Sequence, residues 1–103
     1  MLTSKQRAYL RSLAVDLDTI LMVGKSGIGP ELTKQADDAL EARELIKGKV
    51  LVETSPVSPR EAAEALASAT SSEVVQVIGS KFVLFRQKEK ESKYTLPKAK
   101  RGV

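Results

Sequence analysis

Apolar residues at Leu10, Leu13, Ala14 and Leu17 recur at helical intervals, and Thr3-Ser4-Lys5-Gln6 before them has capping-box spacing. The pattern predicts an amphipathic helix over about residues 4–16. The period then changes: Thr19 to Val23, TILMV, is a short apolar run with β-branched residues, as in a strand covered on both sides. Beyond the glycine-rich VGKSGIG, Pro30 fits a first helical position, and Leu32, Ala36, Ala39 and Leu40 mark a buried stripe. This second helix is expected to end near Arg43, with Asp37, Asp38, Glu41 and Glu44 as an acidic exterior. ELIKGKVLVE predicts a strand over about Ile46 to Glu53, with Lys47 and Lys49 projecting to one side. Ser58-Pro59-Arg60-Glu61 supplies a second capping box, and the alanine-rich EAAEALASA continues as a third helix. EVVQVI and KFVLFR are strand-like runs separated by Gly79-Ser80, which fits a type II′ hairpin turn.

Two strand–helix–strand crossovers imply parallel pairing with right-handed connections, and the last two strands add an antiparallel pair. The expected fold class is α/β: a two-layer mixed four-stranded sheet with three helices in the order α-β-α-β-α-β-β. Residues 1–87 are expected to form the domain and residues 88–103 a loosely ordered basic tail.

Composition narrows the chemistry. The 103 residues include no cysteine and no histidine, which removes thiol nucleophiles, disulfides, cysteine or histidine metal sites and histidine acid–base catalysis. The opening MLTSKQRAYLRSLA lacks the features of a secretion signal, and no stretch approaches the roughly 18 apolar residues of a membrane span. A cytoplasmic location and no membrane contact are expected. The net charge of +4 is unevenly placed. Residues 1–28 carry four basic against two acidic side chains, residues 29–80 five against nine, and residues 81–103 eight against two. Basic ends folded together would give a cationic face suited to a polyanion; the same lysines could simply keep the protein soluble.

Gly24-Lys25-Ser26 matches the last three positions of a Walker A loop, but that motif needs a glycine five residues before Gly24, where Thr19 stands. No later strand ends in the isolated aspartate of a magnesium site. A glycine turn entering a helix nevertheless offers unpaired amides and the positive end of the helix dipole to any phosphate. Lys25 and Ser26 at its tip add a charge and a hydroxyl donor. Glycines also punctuate such turns for purely conformational reasons, so the GxxG pattern of Gly24 and Gly27 is weak by itself. In KH domains a GxxG loop joins two helices, whereas this one follows a strand. Arg7 and Arg11 lie four apart on one helical face, where a shared anion would relieve their repulsion.

Taken together, LTSKQRAYLRSLA (2–14), VGKSGI (23–28), ALEARELIKGKV (39–50) and VVQVIGSKFVLFR (74–86) resemble the chloroplast RNA splicing and ribosome maturation family, the CRM domains. The resemblance implies a fold related to the carboxy-terminal domain of translation initiation factor three. It also implies a binding protein, not an enzyme, whose partner is RNA: structured ribosomal RNA in precursors of the large ribosomal subunit. RNA contact is implied at Gly24, Lys25, Ser26 and Gly27, and by matching position at Lys5, Arg7, Arg11, Lys47 and Arg86. Gly29-Pro30 departs from the threonine-type helix start common after this loop, and Phe85 stands where relatives carry tyrosine.

The four aromatics are Tyr9, Phe82, Phe85 and Tyr94, with the phenylalanines in a strand whose apolar run predicts burial, so no aromatic platform for stacking bases is expected. No catalytic residue, metal, cofactor or small-molecule substrate is expected, and a monomer is favoured. Two other classes stay open: a small nucleotide-dependent or phosphoester hydrolase built on the GKS loop, and a protein-interaction module with a basic docking tail.

Overall fold

The computed structural model describes residues 3–87; the proposed tail, residues 88–103, lies outside them. The elements are α1 (Ser4–Ala14), β1 (Thr19–Val23), α2 (Pro30–Arg43), β2 (Leu45–Val50), α3 (Pro59–Thr70), β3 (Glu73–Ile78) and β4 (Lys81–Phe85). This is the order read from the pattern. Both capping boxes form: Thr3 with Gln6 opens α1, and Ser58 with Glu61 opens α3. The Ser58 amide and hydroxyl hold the Glu61 carboxyl below its ordinary range. At the hairpin Gly79 takes φ 57°, the positive angle a two-residue turn needs at its first central position.

The four strands form one sheet in the order β1-β2-β4-β3. β1 and β2 run parallel, and β4 runs antiparallel to both its neighbours. β2 is shorter than expected: it leaves the sheet after Val50, where Leu51 donates its amide to the Val23 carbonyl at 2.8 Å and the chain turns.

On one face Leu21, Val23, Ile46, Val50, Phe82 and Leu84 pack against Ala36 and Leu40 of α2 and Ala62, Ala63, Leu66 and Ala67 of α3. The alanines let α3 lie close to the sheet. On the other face Leu45, Val75, Val83 and Phe85 pack under Leu10 and Ala14 of α1. The expected two layers are thus the sheet and the α2–α3 layer, while α1 adds a partial third layer. It does so because β2, β3 and β4 each present apolar residues on both faces, and the second face requires cover of its own.

Glu44 departs from expectation. Instead of joining the acidic exterior of α2 it is fully buried and caps that helix at φ 67°, a conformation ordinarily left to glycine.

Candidate nucleic-acid interface

The glycine turn sits where β1 ends and α2 begins. Gly27 donates its amide to the Gly24 carbonyl at 2.9 Å, closing a tight turn with Lys25 and Ser26 exposed at its tip. Among the described residues the amides of Lys25 and Ser26 have no hydrogen-bond partner. α2 then starts from Gly29 with no side-chain cap and with Pro30 in its first turn. Among the described residues no side chain caps its first amides, those of Glu31 and Leu32, at the positive end of the dipole, where the exposed Glu31 is the one acidic residue of the first turn.

The two glycines differ. Gly27 is buried at φ 66°, and a Cβ there would lie 2.9 Å from Pro56 Cγ. Its bare Cα is thus required by the fold itself. Gly24 has ordinary room, with Leu51 Cδ1 3.7 Å from a built Cβ. Thr19 to Val23 form a ladder with β2, and Leu21 and Val23 are buried, so no open cradle precedes Gly24.

Arg7 and Arg11 are brought together, but at the opposite edge of the sheet, some three strand spacings or about 14 Å across from β1. They line a cleft of about 480 Å³ along Val74 to Val77 of the edge strand β3, and Arg60 of α3 lines it too. Arg60 was not picked out from sequence. One signal was available: a cation in the first turn of a helix opposes the dipole, so it asks for a compensating anion. Its ion pair with Glu64, at 3.5 Å between exposed side chains, is a weak one. Lys5 is exposed roughly 200° around α1 from Arg7 and does not join the cleft.

Lys47 lies on β2 on the α1 side of the sheet, lining a second cavity of about 280 Å³ with Ala14, Val15, Gln76, Ile78, Lys81 and Val83. Arg86 has other partners. Its guanidinium donates to Asp37 Oδ1 at 2.6 Å, the Thr70 carbonyl at 2.8 Å, the Asp37 carbonyl at 3.1 Å and Glu41 Oε1 at 3.4 Å. It is a clasp joining β4, α2 and the end of α3, with 22% of its side chain exposed. Replacing Arg86 by glutamine is expected to lower unfolding free energy by about 2 kcal/mol, because Asp37 and the Thr70 carbonyl lose a charged donor. Lysine should not restore the loss, since it lacks the planar fork. Chemical denaturation of the three proteins checks this.

No group of three or more Asp, Glu, Cys or His side chains that could hold a metal occurs among the described residues, and no helix there is long and apolar enough to cross a membrane. Fold and surface together define a mixed-sheet α/β domain with an amide-lined turn and cations on one face and edge of its sheet. The chain belongs to the CRS1/YhbY (CRM) domain family, which it matches over residues 2–86.

Curated relatives and a solved structure match most of the chain. The chain is 42% identical over 97 residues to "Probable RNA-binding protein YqeI" of Bacillus subtilis, covering 94% of this chain and all of that one. It is 34% identical over 101 residues to a Haemophilus influenzae protein named "RNA-binding protein", covering 94% and 96%. The solution structure of SAV1595 from Staphylococcus aureus, described as a candidate RNA-binding protein, superposes with a TM-score of 0.77 at 48% identity, covering 94% of this chain and all of that one.

Proposed function

We propose that this protein binds the sugar–phosphate backbone of structured ribosomal RNA and acts in the cytoplasm as an assembly factor for the large ribosomal subunit, without catalysing a reaction. The observation that carries the reading is the exposed turn at Lys25 and Ser26, whose amides have no hydrogen-bond partner among the described residues and which leads into an α2 start without a side-chain cap. Unpaired main-chain donors at a helix N-terminus hold phosphate oxygens whatever base is attached. The relatives' names as RNA-binding proteins support the same reading. Lys5, Lys47 and the cleft of Arg7, Arg11 and Arg60 extend the cationic surface, so the footprint spans both edges of the sheet.

Replacing Lys25 by alanine is expected to weaken RNA binding about tenfold, and by a similar factor on RNAs of unrelated sequence, because a phosphate contact carries no base information. Fluorescence anisotropy on two unrelated ribosomal RNA fragments measures this; a loss confined to one of them would contradict backbone recognition. In cell extracts the protein should sediment with large-subunit precursors and be released by ribonuclease. Survival of that association after RNA digestion would instead point to a protein partner.

A further inference from the structure

Between the glycine turn and the arginine cleft lies the part of the sheet that neither the α2–α3 layer nor α1 covers. Strand registers put Met22 beside Lys49, Lys49 opposite Lys81, and Lys81 opposite Ile78. One row across all four strands therefore reads apolar, cation, cation, apolar. Met22 and Ile78 are 60% and 62% exposed, unusual for large apolar side chains, and Val15 at the end of α1 is 74% exposed. Lys47 and Gln76 lie in the next row on the same face. Gln76 lines both the cavity holding Lys47 and Lys81 and the arginine cleft, so the two adjoin.

Like charges directly opposite one another on a sheet are destabilising. Among the described residues Lys47, Lys49 and Lys81 have no ion pair or hydrogen bond from their side chains. The row is therefore built at some cost to the isolated protein, as a site for an anion would be. Residues 88–103 carry six basic against two acidic side chains and match the sign of this face. A second copy docked face to face would set lysines against lysines. An RNA duplex would satisfy the lysines but leave Met22 and Ile78 in water, because it presents sugar and phosphate outward. An unpaired strand offers both phosphates and apolar base faces.

We propose that this row seats an unpaired stretch of RNA running from the glycine turn to the arginine cleft, its phosphates on Lys49, Lys81 and Lys47 and its bases on Met22 and Ile78. The inference rests on the RNA-binding reading above and adds the form of RNA and four residues not otherwise assigned: Met22, Lys49, Ile78 and Lys81.

The test measures binding of the full chain to an oligouridylate of about 12 nucleotides and to an RNA duplex of about 16 base pairs. The double variant Met22→Ser/Ile78→Ser should lose about tenfold in affinity for the oligouridylate and change less than about twofold on the duplex. Lys49→Gln/Lys81→Gln should make the salt slope for oligouridylate shallower by roughly 1.4, or 0.7 per contact on a single strand. Thermal melts confirm that both variants are folded. Unchanged oligouridylate binding by both variants, an equal loss on both RNAs, or competition by polyglutamate as strong as by oligouridylate would overturn this inference. The backbone-binding reading would still stand if Lys25→Ala weakened duplex binding. Wild-type protein that bound neither RNA would remove both.

Discussion

Gly48→Ala is expected to destabilise the protein by about 3 kcal/mol or more. Gly48 lies opposite Phe82 in the sheet, and a Cβ built on it would come within 2.3 Å of the ring's Cζ and 2.7 and 2.9 Å of its two Cε atoms. Contacts under 3.0 Å require something to move, and the ring has nowhere to go. Phe82 is fully buried in the main core with Ile46, Leu66 and Leu84. Such overpacking pushes a side chain off its rotamer or spreads the strands. For a domain of this size the melting temperature should fall by roughly 12 °C or more. Phe82→Leu alone should also destabilise, by removing ring volume from the core. Combined with Gly48→Ala it should cost less than the sum of the two, because the smaller side chain leaves room for the methyl group. A four-protein cycle followed by denaturant unfolding measures that coupling. Strict additivity would show that the ring and the glycine do not share the space in question.

The second large effect is on binding. If roughly four to six phosphates are neutralised by the turn, the lysines and the arginine cleft, log K should fall against log salt with a slope of about −3 to −5. Between 50 and 200 mM salt this corresponds to a loss of roughly 60- to 1,000-fold. The value expected is set by how many cations engage together. Lys25, Lys47, Lys49 and Lys81 lie on the turn and the open face, while Arg7, Arg11 and Arg60 line one cleft. A full titration of affinity against salt, with wild type beside Arg7→Gln/Arg11→Gln, should show the variant's slope shallower by roughly 1.4 to 1.8. A slope near zero for the wild type would rule out the phosphate grip altogether.

Much of the architecture could be read from local chemistry. The capping boxes of α1 and α3, the proline that starts α2 and the Gly79-Ser80 turn each act within four residues, and each formed where the pattern put it. What escaped the sequence reading depends on partners far apart in the chain. Arg86 is implied by matching position as an RNA contact, and its carboxylate partner Asp37, 49 residues upstream, is invisible to any local pattern. Arg60 meets Arg7 and Arg11 only because α1 and α3 lie on opposite faces of the same edge strand, and no spacing along the chain encodes that. Glu44 fits the polar stripe of α2 in sequence, yet its cap geometry turns it into the interior. The row Met22, Lys49, Lys81, Ile78 requires strand order and register, whereas alternation reveals only which residues of one strand share a side.

The wedge of Pro56 against Gly27 bears on how fast a partner can be captured. The bend is closed by the hydrogen bond from the Gly27 amide to the Gly24 carbonyl, and Pro56 leaves no room beside Gly27 for a side chain. A receptor shaped in advance forfeits little conformational entropy on association. Encounter with a polyanion should therefore be governed by long-range attraction and diffusion, without a slow ordering step.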